Sequence, residues 1–432
     1  MTRPTLSVVI LNWNGRAYLE ACLAALAAQK PPADRVVLVD NNSSDGSVEF
    51  TRQRFPWVTI RQNGGNLGFA AGNNAALRDE TAEVIVLLNP DVALSPGALA
   101  ALAGALNADP STGIAGAKLW YPDGATIQHA GGFITHPQAL PGHFGIGRRD
   151  TANHDTPRDV EYVIGAATAV RRSMLDAIGL LDEGFFLYFE DVDFCARARR
   201  AGYRVVYWPA ATGIHVETAT ADKGSFAYLQ RFHSGRWRYL LKHFPAAEIV
   251  EETIPTESEW LDGLAAAERR AASLAYLSAQ RQLPRILAAR EREGAGALSA
   301  GEAAAIEAGL AGLRRKALDG LSDEGMLARL SAAAELHERP FTSGVPVFGP
   351  LIAWFRATWN NVASRWYLGH LMAQQNEFNR LAVAELERLE RELREQMAMM
   401  EEQVVVAAEL REEIEQLRAR LAELEKLASA AA

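Results

Sequence analysis

Between residues 6 and 120 the chain alternates short apolar runs with helical patterns, and this alternation restricts the fold more than any other feature. The first run, Leu6–Leu11, is continuous and rich in β-branched residues, which is typical of a strand buried on both faces. The predicted elements are strands at 6–11, 36–39, 57–60 and 84–88 and an alanine-rich helix at 15–28. Strands that alternate with helices predict βαβ units, an α/β fold class and a mostly parallel sheet.

Polar clusters follow three of these strands at the point where each strand ends. They occupy residues 12–14, 40–45 and 89–91. In open α/β sheets, ligands bind at the carboxyl ends of the strands. The three clusters therefore predict a binding site along one edge of the sheet.

Composition excludes several classes of protein. The 432 residues carry 44 Lys and Arg against 53 Asp and Glu, a net charge of −9, which argues against a nucleic-acid-binding surface. Two cysteines, Cys22 and Cys195, predict neither a disulfide framework nor a zinc site and favour a reducing, cytoplasmic setting. The N-terminal residues show no signal-peptide pattern, and no apolar run is long enough to span a membrane.

Residues 185–194 concentrate three carboxylates, Glu190, Asp191 and Asp193, within an aromatic run. Apolar surroundings raise the pKa of an acid and make it a candidate proton acceptor. The same residues would also suit a helix start, where acidic side chains favour the positive end of the helix dipole. Spacing alone leaves both interpretations open.

The motifs taken in order resemble family 2 glycosyltransferases, the inverting enzymes of GT-A fold, and most closely their rhamnosyltransferase-like branch. The resemblance covers roughly residues 5–245 and is carried by the following segments: Ser7–Asn14, Val39–Gly46, Asn66–Ala70, Leu88–Asp91, Gly165–Ala166, Glu190–Asp193 and His215. It implies a nucleotide-sugar-binding GT-A domain whose sheet is mixed and mostly parallel.

The resemblance also implies which residues contact the substrates. The expected substrate-binding residues are Asn12, Asp40, Asn42, Asn66, Gly68, Asn89, Gly165, Ala166, Glu190 and Asp193. Asp40 would bind the nucleotide base with Asn12, although residues 40–45 could instead form an Asx turn that caps the next helix. The segment at Gly165 could form a floor under the donor sugar or serve tight packing only. For Glu190 and Asp193, acceptor contacts and orienting or capping roles both remain open.

The same resemblance implies a divalent cation, Mg²⁺ or Mn²⁺, at the leaving diphosphate. Asn89-Pro90-Asp91 stands where the family carries an Asp-x-Asp type element, so one carboxylate is replaced by an amide. Asp91 is the expected principal ligand, and His215 the second. A lone histidine is often structural, so a structural His215 is the alternative.

Asp191 matches the position of the family's catalytic base. It would take the proton of the acceptor hydroxyl opposite the departing diphosphate, in one step with inversion and no covalent intermediate. The chain is accordingly expected to transfer a sugar from a dTDP-, UDP- or GDP-linked donor, with L-rhamnose from dTDP-rhamnose favoured, to a growing surface glycan or lipid-linked acceptor. The alternative is a catalytically degenerate scaffold that acts through its C-terminal segment.

Four regions are expected along the chain, and the resemblance does not reach the last three. They are a glycosyltransferase domain at 1–250, a helical domain at 251–340, a hinge with an amphipathic aromatic helix at 341–375, and a coiled coil at 376–432. The aromatic helix suits a membrane surface or a protein partner. Heptad-like leucines predict a coiled coil that makes a homo-oligomer, against the alternative of a solvated single helix. The expected location is cytoplasmic, with a peripheral position on the inner face of the membrane as an extension.

Overall fold

The computed structural model describes residues 3–217 and 224–319 and, between positions 354 and 421, the stretch 373–386 together with scattered single positions. The chain divides into two compact units, Met1–Leu318 with Val405–Ala432, and Asp319–Val404. In the second unit, residues 373–386 are helical. Most of the predicted aromatic helix and much of the predicted coiled coil lie outside the described residues.

The first unit contains a mixed sheet flanked by helices. Its strands are β1 Leu6–Asn12, β2 Arg35–Asp40, β3 Thr59–Gln62, β4 Val84–Leu88, β5 Val92–Leu94, β6 Thr112–Trp120, β7 Ile127–His129, β8 Gly132–Ile134, β9 Pro141–His143, β10 Arg158–Asp159, β11 Ala167–Arg171 and β12 Arg204–His215. The main sheet runs in the order β10-β12-β6-β11-β4-β1-β2-β3. Within the described residues, its parallel pairs along this path are β3 with β2, β2 with β1, β1 with β4, and β6 with β12. β8 and β9 form a separate antiparallel pair.

Helices cover both faces of the sheet and continue beyond it. They are α1 Arg16–Ala27, α2 Ser47–Arg54, α3 Gly68–Leu77, α4 Ala98–Ala108, α5 Arg172–Ile178, α6 Glu190–Arg200, α7 Phe226–His243, α8 Ala246–Glu248, α9 Ile254–Asp262, α10 Ala266–Arg292 and α11 Ala300–Asp319. A 3₁₀ turn lies at Ala152–His154, and a π-helical turn, Ile249–Thr253, joins α8 to α9.

The buried strands place alternate side chains in two apolar cores, as the period of two in a strand requires. In β1, Val9 faces one core, whereas Leu6, Val8 and Ile10 face the other. The prediction that the run Leu6–Leu11 is a strand buried on both faces is therefore confirmed. The third strand begins at Thr59, two residues later than predicted, because Val58 donates its N–H to Phe55 in a turn.

The helices after residue 225 share a core with one face of the sheet rather than forming an isolated bundle. Arg236 in α7 and Glu257 in α9 form a fully buried ion pair, and the Tyr276 hydroxyl in α10 donates to Glu257 at 2.8 Å. An ion pair without water around it requires such additional hydrogen bonds to offset its desolvation. These contacts tie α7, α9 and α10 to one another.

Candidate active site

The carboxyl ends of β1 and β2 bring Asn12 and Asp40 together at the edge of the sheet, where the two residues lie in register. The Asn12 side-chain amide donates to Asp40 Oδ1 at 3.1 Å and to Ser43 Oγ at 3.0 Å. Asp40 Oδ2 accepts the backbone N–H of Ser43 at 3.0 Å. Asp40 thus supports a turn, as the Asx alternative requires, and it also presents a buried carboxylate at the predicted edge.

Asp45 satisfies the first N–H groups of two helices. Its carboxylate accepts from the backbone N–H of Arg16, which begins α1, at 2.8 Å, and from that of Ser47, which begins α2, at 3.1 Å. Burial opposes the charged form, but the bonds from Ser47 and Arg16 outweigh it and lower the pKa of Asp45. Helix starts carry unpaired N–H groups. Asp45 therefore supplies much of the helix capping that the alternative interpretation of residues 40–45 assigns to this segment.

The amide oxygen of Asn12 has no hydrogen-bond partner within the described chain, although it is buried. Gly15 leaves room for it, since a Cβ at that position would lie 2.5 Å from this oxygen. A buried, unpaired acceptor is costly unless a ligand or water satisfies it. The Asn12 oxygen, in the turn after β1, can therefore accept a hydrogen bond from a ligand. Asn42, whose φ is +63°, lies exposed in the neighbouring turn.

The segment at Asn66 and Gly68 begins α3 and packs against the aromatic run. Asn66 Oδ1 accepts the N–H of Gly68 at 3.1 Å, which orders the first turn of the helix. Gly68 has a φ of +76°, and a Cβ there would lie 2.3 Å from the carbonyl oxygen of Phe186. Only glycine fits this position. Both residues shape the turn, and substrate contacts by them remain a prediction.

Asp91 and His215 face each other across the end of the sheet. His215 ends β12 opposite Val92 of β5, and its Nε2 lies 3.3 Å from Asp91 Oδ1. Its Nδ1 lies 2.6 Å from Gln128 Oε1 in β7. A carboxamide oxygen only accepts, so Nδ1 carries a hydrogen, and Nε2 faces the Asp91 carboxylate. The amide group of Gln128 in turn donates to Glu217 at 3.1 Å.

Asp91 and His215 together offer part of the ligand set of a cation site. A metal-binding histidine usually donates its second ring N–H to a fixed acceptor, which sets the tautomer, and Gln128 is that acceptor here. Asp91 and His215 are both nearly buried. No group of three or more His, Cys, Asp or Glu side chains in the described ranges could hold a metal. Mg²⁺ is often held by one or two carboxylates together with substrate phosphates, so the pair fits a cation completed by a diphosphate.

Two consecutive residues before α6 adopt a strained backbone. Tyr188 has a φ of +73° and Phe189 a φ of +70°, which is uncommon for aromatic side chains. Strain of this kind persists where packing enforces it and concentrates at functional sites. Here the Tyr188 carbonyl packs against Gly235 of α7, and the Phe189 ring packs against Phe232. The strained turn at Tyr188 and Phe189 leads directly into the first turn of α6.

Asp191 lies half-buried at this helix start beside the amino end of β11. Its Oδ2 accepts the N–H of Gly165 at 3.0 Å, and its Oδ1 accepts the N–H of Val192 at 2.8 Å. Ala166, which follows Gly165, accepts the N–H of Asn89 at 2.9 Å, so Asp191 is linked through Gly165 and Ala166 to the turn that carries Asp91. No lysine or arginine in the described part of the chain forms an ion pair with Asp191, and burial raises the pKa of its carboxyl.

Glu190 is buried beside Asp191. Burial, reinforced by the neighbouring Asp191 charge, raises the pKa of Glu190 well above its ordinary value. Its Oε2 has no hydrogen-bond partner among the described residues. This environment favours the neutral form of the carboxyl, as in other sites where two acids lie side by side.

Asp193 occupies a different environment, and this favours the orienting alternative over an acceptor contact. Its side chain is 0% exposed and lies 2.8 Å from Arg197, 2.6 Å from Lys242 and 2.8 Å from His243. Burial opposes ionisation, but the charges of Arg197 and Lys242 and the hydrogen bond with His243 outweigh it and hold the pKa of Asp193 well below its ordinary range. A carboxylate enclosed in this way has no free face for a substrate.

Lys242 joins this cluster to two more acids. Its ammonium lies 2.7 Å from Asp182 and 2.8 Å from Glu293 at the end of α10. The cluster therefore ties α7 and α10 to the helix that carries Asp191. No motif in the sequence marks Lys242 or Gln128, because each acts through a side chain distant along the chain.

The profile of the family described as "Glycosyltransferase like family 2" matches residues 4–239. N-acetylglucosaminyl-diphospho-decaprenol L-rhamnosyltransferase of Mycobacterium tuberculosis is 29% identical over 269 residues, which are 55% of this chain and 88% of the relative. The low-salt glycan biosynthesis hexosyltransferase Agl10 of Haloferax volcanii is 23% identical over 52% of this chain and 71% of its own length.

Among solved structures, GalNAc-T7 with UDP, GalNAc and Mn²⁺ matches at a TM-score of 0.48 and 15% identity, over 59% of this chain and 51% of that one. The family profile covers more than half of the chain, and it includes every predicted site residue from Asn12 to His215. The chain therefore belongs to the family 2-like glycosyltransferases and is a glycosyl-transferring enzyme.

Proposed function

We propose that the enzyme transfers a sugar from a nucleotide-diphosphate donor to an acceptor hydroxyl by direct displacement, with Asp191 as general base. The observation that carries this proposal is the setting of Asp191. It lies half-buried and without a cationic partner among the described residues, and the Gly165–Ala166 segment that it contacts accepts the N–H of Asn89, two residues before Asp91. A carboxylate neutralised by a lysine or arginine would be a poor proton acceptor at neutral pH.

The step balances with the residues at this edge. The acceptor oxygen attacks the anomeric carbon, the bond from that carbon to the diphosphate oxygen breaks, and the acceptor proton passes to Asp191. The raised pKa of Asp191 brings it closer to the pH of the reaction, which favours proton transfer. A protonated Glu190 leaves Asp191 as the charged member of the pair, and the bonds from Gly165 and Val192 fix the direction in which Asp191 points.

Asp91 and His215 would hold a divalent cation, Mg²⁺ or Mn²⁺, at the donor diphosphate. Such a cation, when bound, would offset the negative charge that grows on the departing diphosphate. Gln128 holds the His215 ring so that Nε2 stays available. Asn12 and Asp40 would meet the nucleotide base, with the unpaired Asn12 oxygen as an acceptor for it. Asn42, Asn66, Gly68, Asn89, Gly165 and Ala166 would line the donor.

For the donor we propose L-rhamnose, with dTDP-rhamnose as the nucleotide sugar, and for the acceptor a lipid-linked glycan. The support is the relative whose name states rhamnosyl transfer to a diphospho-decaprenol acceptor. In the described part of the chain no helix is both long and apolar enough to cross a bilayer. We propose that access to a lipid-linked acceptor comes from a peripheral position on the cytoplasmic face.

We further propose that the C-terminal segment is a coiled coil that associates with a second copy. The heptad positions Leu410, Ile414, Leu417 and Leu421 are 51%, 47%, 62% and 57% exposed, respectively. An apolar seam left open to solvent favours association of helices. Trp354 and Phe355, the described aromatics of the preceding segment, are also exposed, which suits the proposed membrane surface or a protein partner.

A thermal-shift screen of nucleotide sugars with Mg²⁺ or Mn²⁺ tests the proposed activity. A ligand at 100 times its Kd stabilises the folded protein by about 2.7 kcal/mol. We expect the donor to raise Tm in the wild type, and to raise it much less in Asp91→Asn. Failure of every nucleotide sugar to raise Tm, together with no detectable donor hydrolysis, would contradict the proposal.

A further inference from the structure

A cavity of about 210 Å³ lies between the aromatic run and helices α7 and α10. The facing helices contribute the polar side chains of Gln230, Arg231, Ser234 and Arg238, whereas Phe186 and Val405 contribute apolar surface. Two arginines and no carboxylate occur among its described lining residues. A lining with cationic but no anionic side chains favours an anionic ligand.

The two arginines differ in their partners. Arg238 forms three hydrogen bonds to Asp182, one at 2.9 Å and two at 3.1 Å, so its charge is offset. Arg231 is exposed, and its guanidinium lies 4.8 Å from the centre of the Phe186 ring. Within the described residues, no carboxylate pairs with Arg231. A guanidinium held against an aromatic face keeps its N–H groups available for an oxyanion.

Arg231 is also close to the proposed site of transfer. The Phe186 ring contacts the Gly68 turn, and the Phe186 carbonyl accepts the N–H of Phe69. The lining segment Gly184–Leu187 ends three residues before Glu190. Arg231 therefore lies one aromatic ring away from the proposed donor-binding turn, and the cavity lies beside the segment that leads to the carboxylate pair.

We propose that the cavity beside Phe186 is a subsite for a phosphate or diphosphate group on the acceptor, and that Arg231 is the main residue that binds this group. This inference rests on the proposed function, because it assigns the cavity to the acceptor of the same reaction. Arginine binds phosphate through two parallel N–H···O bonds, which gives direction as well as charge. An anionic group anchored there would hold the attached sugar beside the segment that leads to Asp191.

The test uses the full chain and farnesyl diphosphate as the probe, with binding measured calorimetrically in EDTA so that no divalent cation occupies the Asp91–His215 pair. We expect Arg231→Gln to weaken binding at least about tenfold, the effect of losing a hydrogen bond to a charged group. Arg231→Lys should retain part of the affinity. Arg52→Gln, which removes an exposed arginine from α2, is the matched control and should bind like the wild type.

Two further probes separate the sources of affinity. Inorganic pyrophosphate should bind more weakly than farnesyl diphosphate but with the same dependence on Arg231, whereas farnesol should show no such dependence. Equal binding of farnesyl diphosphate by the wild type and Arg231→Gln would overturn the subsite. The subsite would also be overturned if Arg231→Gln weakened farnesol binding to the same extent, or if it left pyrophosphate binding unchanged.

The proposed function is tested separately in the same variant. Nucleotide sugar with Mn²⁺ should raise the Tm of Arg231→Gln as much as that of the wild type. If no nucleotide sugar stabilises either protein, the proposed function fails, and the farnesyl diphosphate comparison still decides whether the cavity binds anions. If nucleotide sugar stabilises both but Arg231 is irrelevant to the diphosphate probe, only the subsite fails.

Discussion

Two carboxylates in the first turn of α6, Asp191 and Asp193, lie in opposite environments. Asp191 is half-buried, and within the described residues its carboxylate accepts hydrogen bonds from the backbone N–H groups of Gly165 and Val192. Asp193 is fully buried against Arg197, Lys242 and His243. Burial raises the pKa of the first, whereas cationic partners hold the pKa of the second well below its ordinary range.

The difference separates the residue that chemistry requires from the residue that the fold requires. A base must keep a free face and a pKa near the pH of the reaction. An orienting acid must be fully paired, because a buried charge without partners is costly. Residues two positions apart on a helix face different directions, so one helix start can provide both roles.

The largest stability effect is expected for Asp193→Asn. The substitution leaves Lys242 and Arg197 with less compensating charge in a buried cluster, and breaking such a pair costs about 3–5 kcal/mol. The free energy of unfolding, from urea titration, measures the loss. Asp176→Asn is the control, since Asp176 forms an exposed i,i+4 pair with Arg172, and such pairs contribute only about 0.5 kcal/mol. Equal effects of the two variants would contradict the structural role of Asp193.

The same residue predicts a pH dependence. Because the folded-state pKa of Asp193 is depressed, its stabilising contribution is present above the unfolded pKa of about 3.9 and is lost as pH falls through the lower, folded value. The difference in unfolding free energy between wild type and Asp193→Asn should therefore be large at pH 6 and shrink below about pH 4. A difference that stays constant to pH 2 would exclude this linkage.

An intermediate effect is expected at the proposed cation site. Gln128→Leu removes the acceptor that fixes the His215 tautomer, and loss of such a partner lowers metal affinity about 10- to 100-fold. Titration of Mn²⁺ in the presence of nucleotide measures this change. Gln128→Glu keeps an acceptor and should retain more affinity, and Gln53→Leu, on the exposed side of α2, should change nothing. Unaltered Mn²⁺ affinity in Gln128→Leu would remove Gln128 from the site.

The smallest effect is expected for Asp45, which the structure makes a capping residue. Asp45→Ala leaves the first N–H groups of α1 and α2 unsatisfied and should lower the free energy of unfolding by about 1 kcal/mol. Asp45→Asn keeps an acceptor and should cost less. Nucleotide affinity should be unchanged in both variants, because Asp40 rather than Asp45 is the proposed base contact. A selective loss of nucleotide binding in Asp45→Ala would reverse that assignment.

The sequence predicts the sheet well because its signals are local. The apolar runs at β1, β2 and β4 and the polar residues that follow them are each contained in a few positions, and the structure confirms these strands. The meeting of Asn12 with Asp40 also follows, since parallel strands bring their carboxyl ends to one edge.

Spacing and periodicity could not distinguish Asp191 from Asp193, and only the family resemblance assigned the role of base to Asp191. The difference depends on Lys242 and His243, about 50 positions away, and on the strained turn at Tyr188 and Phe189. No periodicity or motif records which acid will be enclosed by residues from another helix. The role of Gln128 escapes for the same reason, because it depends on a contact with His215 across the sheet.

Turnover of Asp191→Asn, measured beside nucleotide affinity, tests the central assignment most directly. The account predicts a loss of about 10²- to 10⁴-fold in kcat, the contribution of a general base, with nucleotide Kd unchanged. The variant should unfold no more easily than the wild type at neutral pH, because a carboxyl whose pKa is raised by burial contributes less stability as pH rises above its unfolded value. Transfer by Asp191→Asn at the wild-type rate would contradict the account.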